Sequence, residues 1–177
     1  MTAAAGVDVA TKTVSLEFKG GDKLNRMLRK MSTGLNTAKG VSVGFLADAQ
    51  YPRNYSTRVE HRPSPTRTVT SVAQVAWWQQ NGNKRIPKRP FFTTMIEEES
   101  GRWGESLAYL AKVHNYDGRK MLTNMGVGIQ SALVRHIREW SSPPNAPYTV
   151  QVKGFNNPLI DEGIMMRSVD YKVTNQL

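Results

Sequence analysis

The spacing of apolar residues changes several times along the chain. Residues 13–18, Thr-Val-Ser-Leu-Glu-Phe, alternate polar and apolar, as a strand with one buried face does. Gly20-Gly21 interrupts that pattern, and Asp22 stands where a helix cap belongs. Leu24, Met27, Leu28, Met31 and Leu35 then recur at three- and four-residue steps. They predict an amphipathic helix over 22–38 with Lys23, Arg26 and Lys30 on its other face and Gly40 at its end. Val41, Val43 and Phe45, separated by Ser42 and Gly44, predict a second strand. Residues 47–69 lose all periodicity. They hold Tyr51, Pro52, Tyr55, His61, Pro63 and Pro65 among arginines, and read as a long extended loop.

Residues 71–80 predict a short helix that stops at Asn81-Gly82, and Pro87 and Pro90 mark an extended connection. A helix over 91–113 would turn Phe92, Met95, Ile96, Trp103, Leu107, Leu110 and Val113 inward. After the turn 114–118, with Asp117 as cap, Leu122, Met125, Ile129, Leu133, Ile137 and Trp140 form the clearest helical stripe in the chain. Gly126 and Gly128 interrupt it at about 1 kcal/mol each relative to alanine, which predicts a close helix crossing or a kink. Ser141-Ser142-Pro143-Pro144 stops this helix. Tyr148, Val150 and Val152 predict a third strand, Asp161 a short capped helix to Ser168, and Val169, Tyr171 and Val173 a final strand. Strands near both ends with helices between them indicate an α+β fold, a small antiparallel sheet of N- and C-terminal strands packed on two long central helices. Residues 1–12 read as an N-terminal arm and 13–177 as a single domain carrying the 47–69 loop.

Composition narrows the function classes. The 177 residues include no cysteine, which excludes a disulfide framework, a thiolate zinc site and an iron–sulfur cluster. No apolar run approaches the ~20 residues of a membrane span, and the first residues lack the pattern of a signal peptide. A cytosolic, soluble protein is expected. Twenty-four Lys and Arg face fourteen Asp and Glu, a formal charge of +10. The excess is spread over residues 1–140, while 141–177 balance at three of each sign. Such charge solvates a surface, neutralises nucleic-acid phosphates, or docks an acidic protein partner. Eight of the 24 positive residues fall in two loop segments, 53–67 and 84–89, which favours docking with DNA contact second.

Catalytic chemistry finds little footing. His61, His114 and His136 lie in separate segments without metal-ligand spacing, and Glu97-Glu98-Glu99 reads as a solvated acidic face near a helix start. Gly126-Val127-Gly128 lacks the preceding strand of a phosphate-binding turn, and no nucleophile elbow or P-loop occurs. No enzyme, cofactor or metal is expected. Trp77 and Trp78, adjacent on a helix, point about 100° apart, so that one enters the core and the other meets an edge or interface.

Two segments carry a resemblance. Residues 70–92, TSVAQVAWWQQNGNKRIPKRPFF, with Gly82 and Ile86-Pro87-Lys88-Arg89-Pro90-Phe91, resemble a signature of bacteriophage neck, tail-completion and virion-morphogenesis proteins of long-tailed phages. Residues 157–173, NPLIDEGIMMRSVDYKV, resemble the closing segment of the same family, in the same order and with two amphipathic helices between. The chain departs from the pattern at Gln79-Gln80-Asn81, where the family has an acidic-aromatic pair before its glycine. It departs again at Glu162, usually Thr, and at Met165-Met166, usually Leu. The resemblance implies a structural virion protein at the neck or head-proximal tail end, assembled in the host cytoplasm as a six-fold ring. Its partners would be further copies, portal or adaptor proteins, and the tail terminator or tail tube. A ring around the channel would also meet packaged DNA without reading sequence. The candidate subunit contacts are Trp78, Lys84, Arg85, Lys88, Arg89 and Phe91, with Arg53, Arg58, Arg62 and Arg67 of the long loop. The alternative is a stand-alone basic nucleic-acid-binding protein.

Overall fold

The computed structural model describes residues 21–46, 49–51, 71–84 and 86–175. The predicted strand at 13–18, the arm 1–12 and most of the 47–69 loop lie outside these residues. The described elements are α1 (Gly21–Leu35), β1 (Gly40–Phe45), α2 (Val72–Asn81), α3 (Phe91–Glu99), a 3-10 turn (Ser100–Arg102) and α4 (Trp103–Val113). They continue with α5 (Gly118–Glu139), α6 (Pro147–Lys153), α7 (Ile164–Arg167) and β2 (Val169–Thr174). Mixed helices and an antiparallel pair of strands make the α+β class. No helix among the described residues is long and apolar enough to cross a membrane.

β1 and β2 pair antiparallel, with Gly40 opposite Thr174, Val43 opposite Tyr171 and Phe45 opposite Val169. α5 packs against this ribbon, and its two glycines there have different jobs. A Cβ on Gly126 would stand 2.5 Å from Tyr171 Cδ2 and 3.0 Å from Val41 Cγ2, so only hydrogen lets the ribbon sit down on the helix. Around Gly128 nothing lies within 4 Å. The close approach is therefore helix on sheet, where the sequence led one to expect a helix crossing, and it belongs to Gly126 alone. About one turn beyond Gly126, Gln130 Nε2 donates to the Val169 carbonyl at 2.7 Å, tying helix to strand.

The core lies toward the other end of α5. Val72 and Ala76 of α2, Phe91 and Met95 of α3, and Leu133 and Ile137 of α5 are buried in one cluster with Leu159, Met165 and Val169. Phe91 meets Phe45 and Phe92 edge to face, at ring separations of 6.4 Å each. Side chains cap two helices, and the second, Asp117, is the one the sequence suggests. Ser71 Oγ accepts from Gln74 N–H at the head of α2, and Asp117 Oδ1 from Lys120 N–H at the head of α5.

Four expectations are corrected. The helix predicted over 91–113 is broken by the 3-10 turn at Ser100-Gly101-Arg102, where two poor helix formers meet. Leu107 and Val113 of α4, expected inward, are exposed. Residues 147–153 form a helix instead of a third strand. Pro147 supplies the fixed φ of a first helical position, and Gly154, at φ 78°, closes the end by donating to the Val150 carbonyl at 2.8 Å. The short helix before β2 begins at Ile164 after Gly163 in the left-handed region, with no side-chain cap, so Asp161 stands too far upstream to cap it. Finally, the helix expected over 22–38 runs Gly21–Leu35, with Asp22 inside its first turn instead of capping it, and none of its residues is buried.

Candidate interaction surface

The first motif segment folds into a closed corner. Gly82, at φ 72°, is needed because a Cβ there would come within 2.8 Å of Lys88 N. Asn83 and Ile86 close the turn with two bonds: Asn83 N–H to the Ile86 carbonyl at 2.8 Å, and Ile86 N–H to Asn83 Oδ1 at 2.9 Å. The polar residues that depart from the family pattern hold the corner in place. Gln80 Oε1 accepts from Phe92 N–H at 2.9 Å while its Nε2 donates to Thr93 Oγ1. Gln79 Oε1 accepts from Arg89 Nη1 at 2.7 Å.

Arg89 is the centre of this corner, with only 4% of its surface exposed. Its Nε donates to the Pro143 carbonyl at 3.0 Å and its Nη2 to the Pro144 carbonyl at 3.2 Å. Burial lowers its pKa from the ordinary guanidinium value. A planar fork of donors suits three acceptors lying in different directions. The loop after α5 therefore hangs on Arg89.

Asn157, at the head of the second motif segment, does the matching work from the other side. Its Oδ1 accepts from Leu159 and Ile160 N–H at 3.1 Å each, and its Nδ2 donates to the Arg138 carbonyl. Its own carbonyl takes bonds from Asn145 Nδ2 at 3.1 Å and Lys153 Nζ at 2.7 Å. Burial lowers the Lys153 ammonium from its ordinary value, with Asp161 acting the other way. The two motif segments thus meet at the C-terminal end of α5, one through Arg89 and the other through Asn157, around the 141–146 loop.

The candidate contact residues separate accordingly. Arg89 and Phe91, expected at a subunit boundary, are used inside the chain: Arg89 by its three acceptors, Phe91 by the core, where it is 1% exposed. Lys84 and Lys88 are exposed on the corner. Trp78 is half-buried, and it is Trp77 that stands out, 61% exposed. Arg85, Arg53, Arg58, Arg62 and Arg67 lie outside the described residues. Sequence reasoning passed over Gln79, Gln80 and Asn157 as working residues. Their only signal was position, polar side chains flanking the Gly82 and Pro158 punctuation.

A second surface feature lies between α4 and α5, a cleft of about 560 Å³ with Trp103, Leu110, Met125 and Ile129 in its walls and Glu99 and Glu105 at its rim. Glu99 is held by Arg102 at 2.8 Å and by Arg135 across the gap, and Glu98 bonds His136 Nε2 at 2.9 Å. These pairs staple α3 and the 3-10 turn to α5. They make a structural seam of two of the three glutamates, while Glu97 is exposed. Among the described residues no group of three His, Cys, Asp or Glu is placed to hold a metal ion.

No family model, curated protein or solved structure matches the chain.

Proposed function

We propose that this chain is a structural, non-enzymatic subunit of a tailed-phage particle. It forms a ring at the neck or the head-proximal end of the tail and joins the portal–adaptor side to the tail tube or its terminator. One observation carries the reading most. The two segments that resemble the phage family, far apart in sequence, form one knit unit here, with Val72, Phe91, Leu159 and Val169 in a single buried cluster. The hydrogen bonds of Arg89 and Asn157 converge on the same loop. Two segments knit in this way make a rigid body, and a rigid body can set subunit spacing. Lys84 and Lys88 project from the Gly82 corner where a neighbour or the channel DNA would meet them.

The test is native mass spectrometry of the full chain together with quantitative proteomics of phage particles carrying it. A closed oligomer and a fixed copy number per particle are the expected results. A monomer that binds duplex DNA, with affinity falling steeply as salt rises, would replace this reading by that of a free nucleic-acid binder.

A further inference from the structure

The two edges of the β1–β2 ribbon are finished differently. On β2, Tyr171 N–H donates to Asp170 Oδ1 at 2.8 Å and the Val169 carbonyl accepts from Gln130 at 2.7 Å. The peptide groups of 169 and 171 therefore point away from β1. In an antiparallel pair the residues opposite them point away as well, so Val43 and Phe45, and Val41 by alternation, turn theirs to the outer edge of β1. There, none of the N–H and C=O groups of Val41, Val43 and Phe45 has a hydrogen-bond partner among the described residues. β2 also carries Asp170 and Lys172, whereas β1, Gly-Val-Ser-Val-Gly-Phe, has neither charge nor proline. Charge, proline and side-chain bonds are what keep an edge strand from pairing, so β1 is a template for one more strand.

Residues 13–18 match that edge. Thr-Val-Ser-Leu-Glu-Phe is six residues long, like β1. Its Val14, Leu16 and Phe18 would continue the side of the ribbon that meets α5, where Val41 and Tyr171 lie against Gly126. Thr13, Ser15 and Glu17 would join the exposed Ser42 and Lys172 on the polar side.

α1 decides whose edge they reach. Every residue from 22 to 30 is exposed, which covers all faces of the helix, so those turns stand off the body. The helix is anchored in its last turn, where Gly34 lies against the Tyr116 carbonyl and the Leu35 carbonyl lies beneath Gly118. Its 15 residues put Gly21 about 22 Å from that anchor, and Lys19-Gly20 spans at most about 7 Å. An arm that starts so far out is built to reach a neighbour.

We infer that residues 13–18 of one copy add a strand to the outer edge of β1 in the next, a β-augmentation repeated head to tail. Such a heterologous contact closes into a ring when its rotation permits. The inference rests on the ring reading and adds to it the surfaces that meet.

The chain has no cysteine, so introduced thiols give unambiguous cross-links. Ser15 and Ser42 would stand opposite each other in a parallel pairing and on the diagonal in an antiparallel one, within reach of a short bis-maleimide either way. Full-length Ser15→Cys and Ser42→Cys, mixed, should give a 1:1 cross-linked dimer in at least ten-fold excess over either variant alone. Hydrogen exchange at the Val41, Val43 and Phe45 amides should slow at least ten-fold when the wild-type chain assembles. Leu16→Pro, which removes a donor from the arm, should weaken self-association at least ten-fold by native mass spectrometry and leave the unfolding midpoint of the dilute monomer in place. Failure of the mixed cross-link, or unchanged exchange at those amides, in a wild-type chain that still assembles overturns the inference and leaves the ring reading standing. A wild-type chain that stays monomeric at every concentration overturns both. If a chain carrying both cysteines cross-links only within itself, residues 13–18 pair with their own β1 and the exchange between copies is overturned. Cross-linking of Ser15→Cys chiefly to itself would mean arm against arm, and overturns it too.

Discussion

Two glycines on α5, separated by a single residue, should respond to the same substitution with opposite sign. Replacing a glycine in a helix interior by alanine gains about 1 kcal/mol, because the unfolded chain has less freedom to lose. At Gly128 nothing lies within 4 Å of the new methyl group, so most of that gain, roughly 0.5–1 kcal/mol, should appear. At Gly126 the methyl group would stand 2.5 Å from Tyr171 Cδ2, 2.9 Å from Cγ and 3.0 Å from Val41 Cγ2. These atoms belong to the base of a ring and to a strand, not to the loose end of a side chain. The ribbon must lift, straining the bond between Gln130 and the Val169 carbonyl. Overpacking of this kind costs about 1–3 kcal/mol, which leaves Gly126→Ala less stable than wild type by about 1 kcal/mol or more. The two variants should therefore differ by about 2 kcal/mol, or roughly 4–8 °C in a chain of this size. Urea unfolding followed by tryptophan fluorescence, at concentrations where the chain is monomeric, reads the difference directly. Trimming the ring, as in Tyr171→Ala, should relieve the Gly126→Ala penalty in a double-mutant cycle and leave Gly128→Ala untouched. If both glycine variants stabilise equally, the ribbon does not sit on α5 at Gly126, and the account of the sheet fails with it.

Arg89→Met keeps the stem but removes the donors to Gln79 Oε1 and the Pro143 and Pro144 carbonyls; a loss of about 3 kcal/mol is expected in urea unfolding, and one under about 1 kcal/mol would return Arg89 to the surface. The Asp117 carboxyl is held below its ordinary range, chiefly by the Lys120 backbone N–H. A lowered folded-state pKa gives stability that is present above the ordinary carboxylate range near pH 4 and lost as pH falls through the folded value, so thermal melts of wild type and Asp117→Ala should converge as pH drops below about 4. Burial, with Asp161 nearby, raises the Tyr51 phenol to about 12. Since the folded state then holds its proton longer than the unfolded chain, stability should fall as pH rises from about 10 to 12, and Tyr51→Phe should remove that part of the slope in alkaline melts.

The elements that periodicity could find were those whose apolar residues all bury on one partner. α5 is the clear case, since Leu133 and Ile137 fall on its stripe and vanish into the core. α2 and the β1–β2 ribbon were legible for similar reasons. Alternation misled at Tyr148-Val150-Val152, because Pro147 and Gly154 decide the backbone there. Periodicity also misled across Ser100-Gly101, where two residues of weak propensity break the helix. The candidate surface was less legible. A basic residue beside prolines looks like a projecting charge, and only the positions of the Pro143 and Pro144 carbonyls show that Arg89 points inward. Nor could spacing choose between Trp77 and Trp78, which lie on either side of the same helical boundary. α1 marks the opposite limit, for its stripe was plain in sequence while the exposure of Leu24, Met27 and Leu28 belongs to the three-dimensional arrangement.

Gln50 and Ser71 form an isolated antiparallel bridge, and Val72 N–H donates to the Ala49 carbonyl at 2.9 Å. The chain thus departs and returns through one doorway on the body, whatever passes between. Closing a loop costs only about 0.6 kcal/mol more for each doubling of its length. The stretch between Tyr51, which packs against the core, and Ser71 is therefore a place where the protein can be rewritten cheaply. An epitope, a reporter or a foreign docking loop spliced in there would leave Val72 in its core socket.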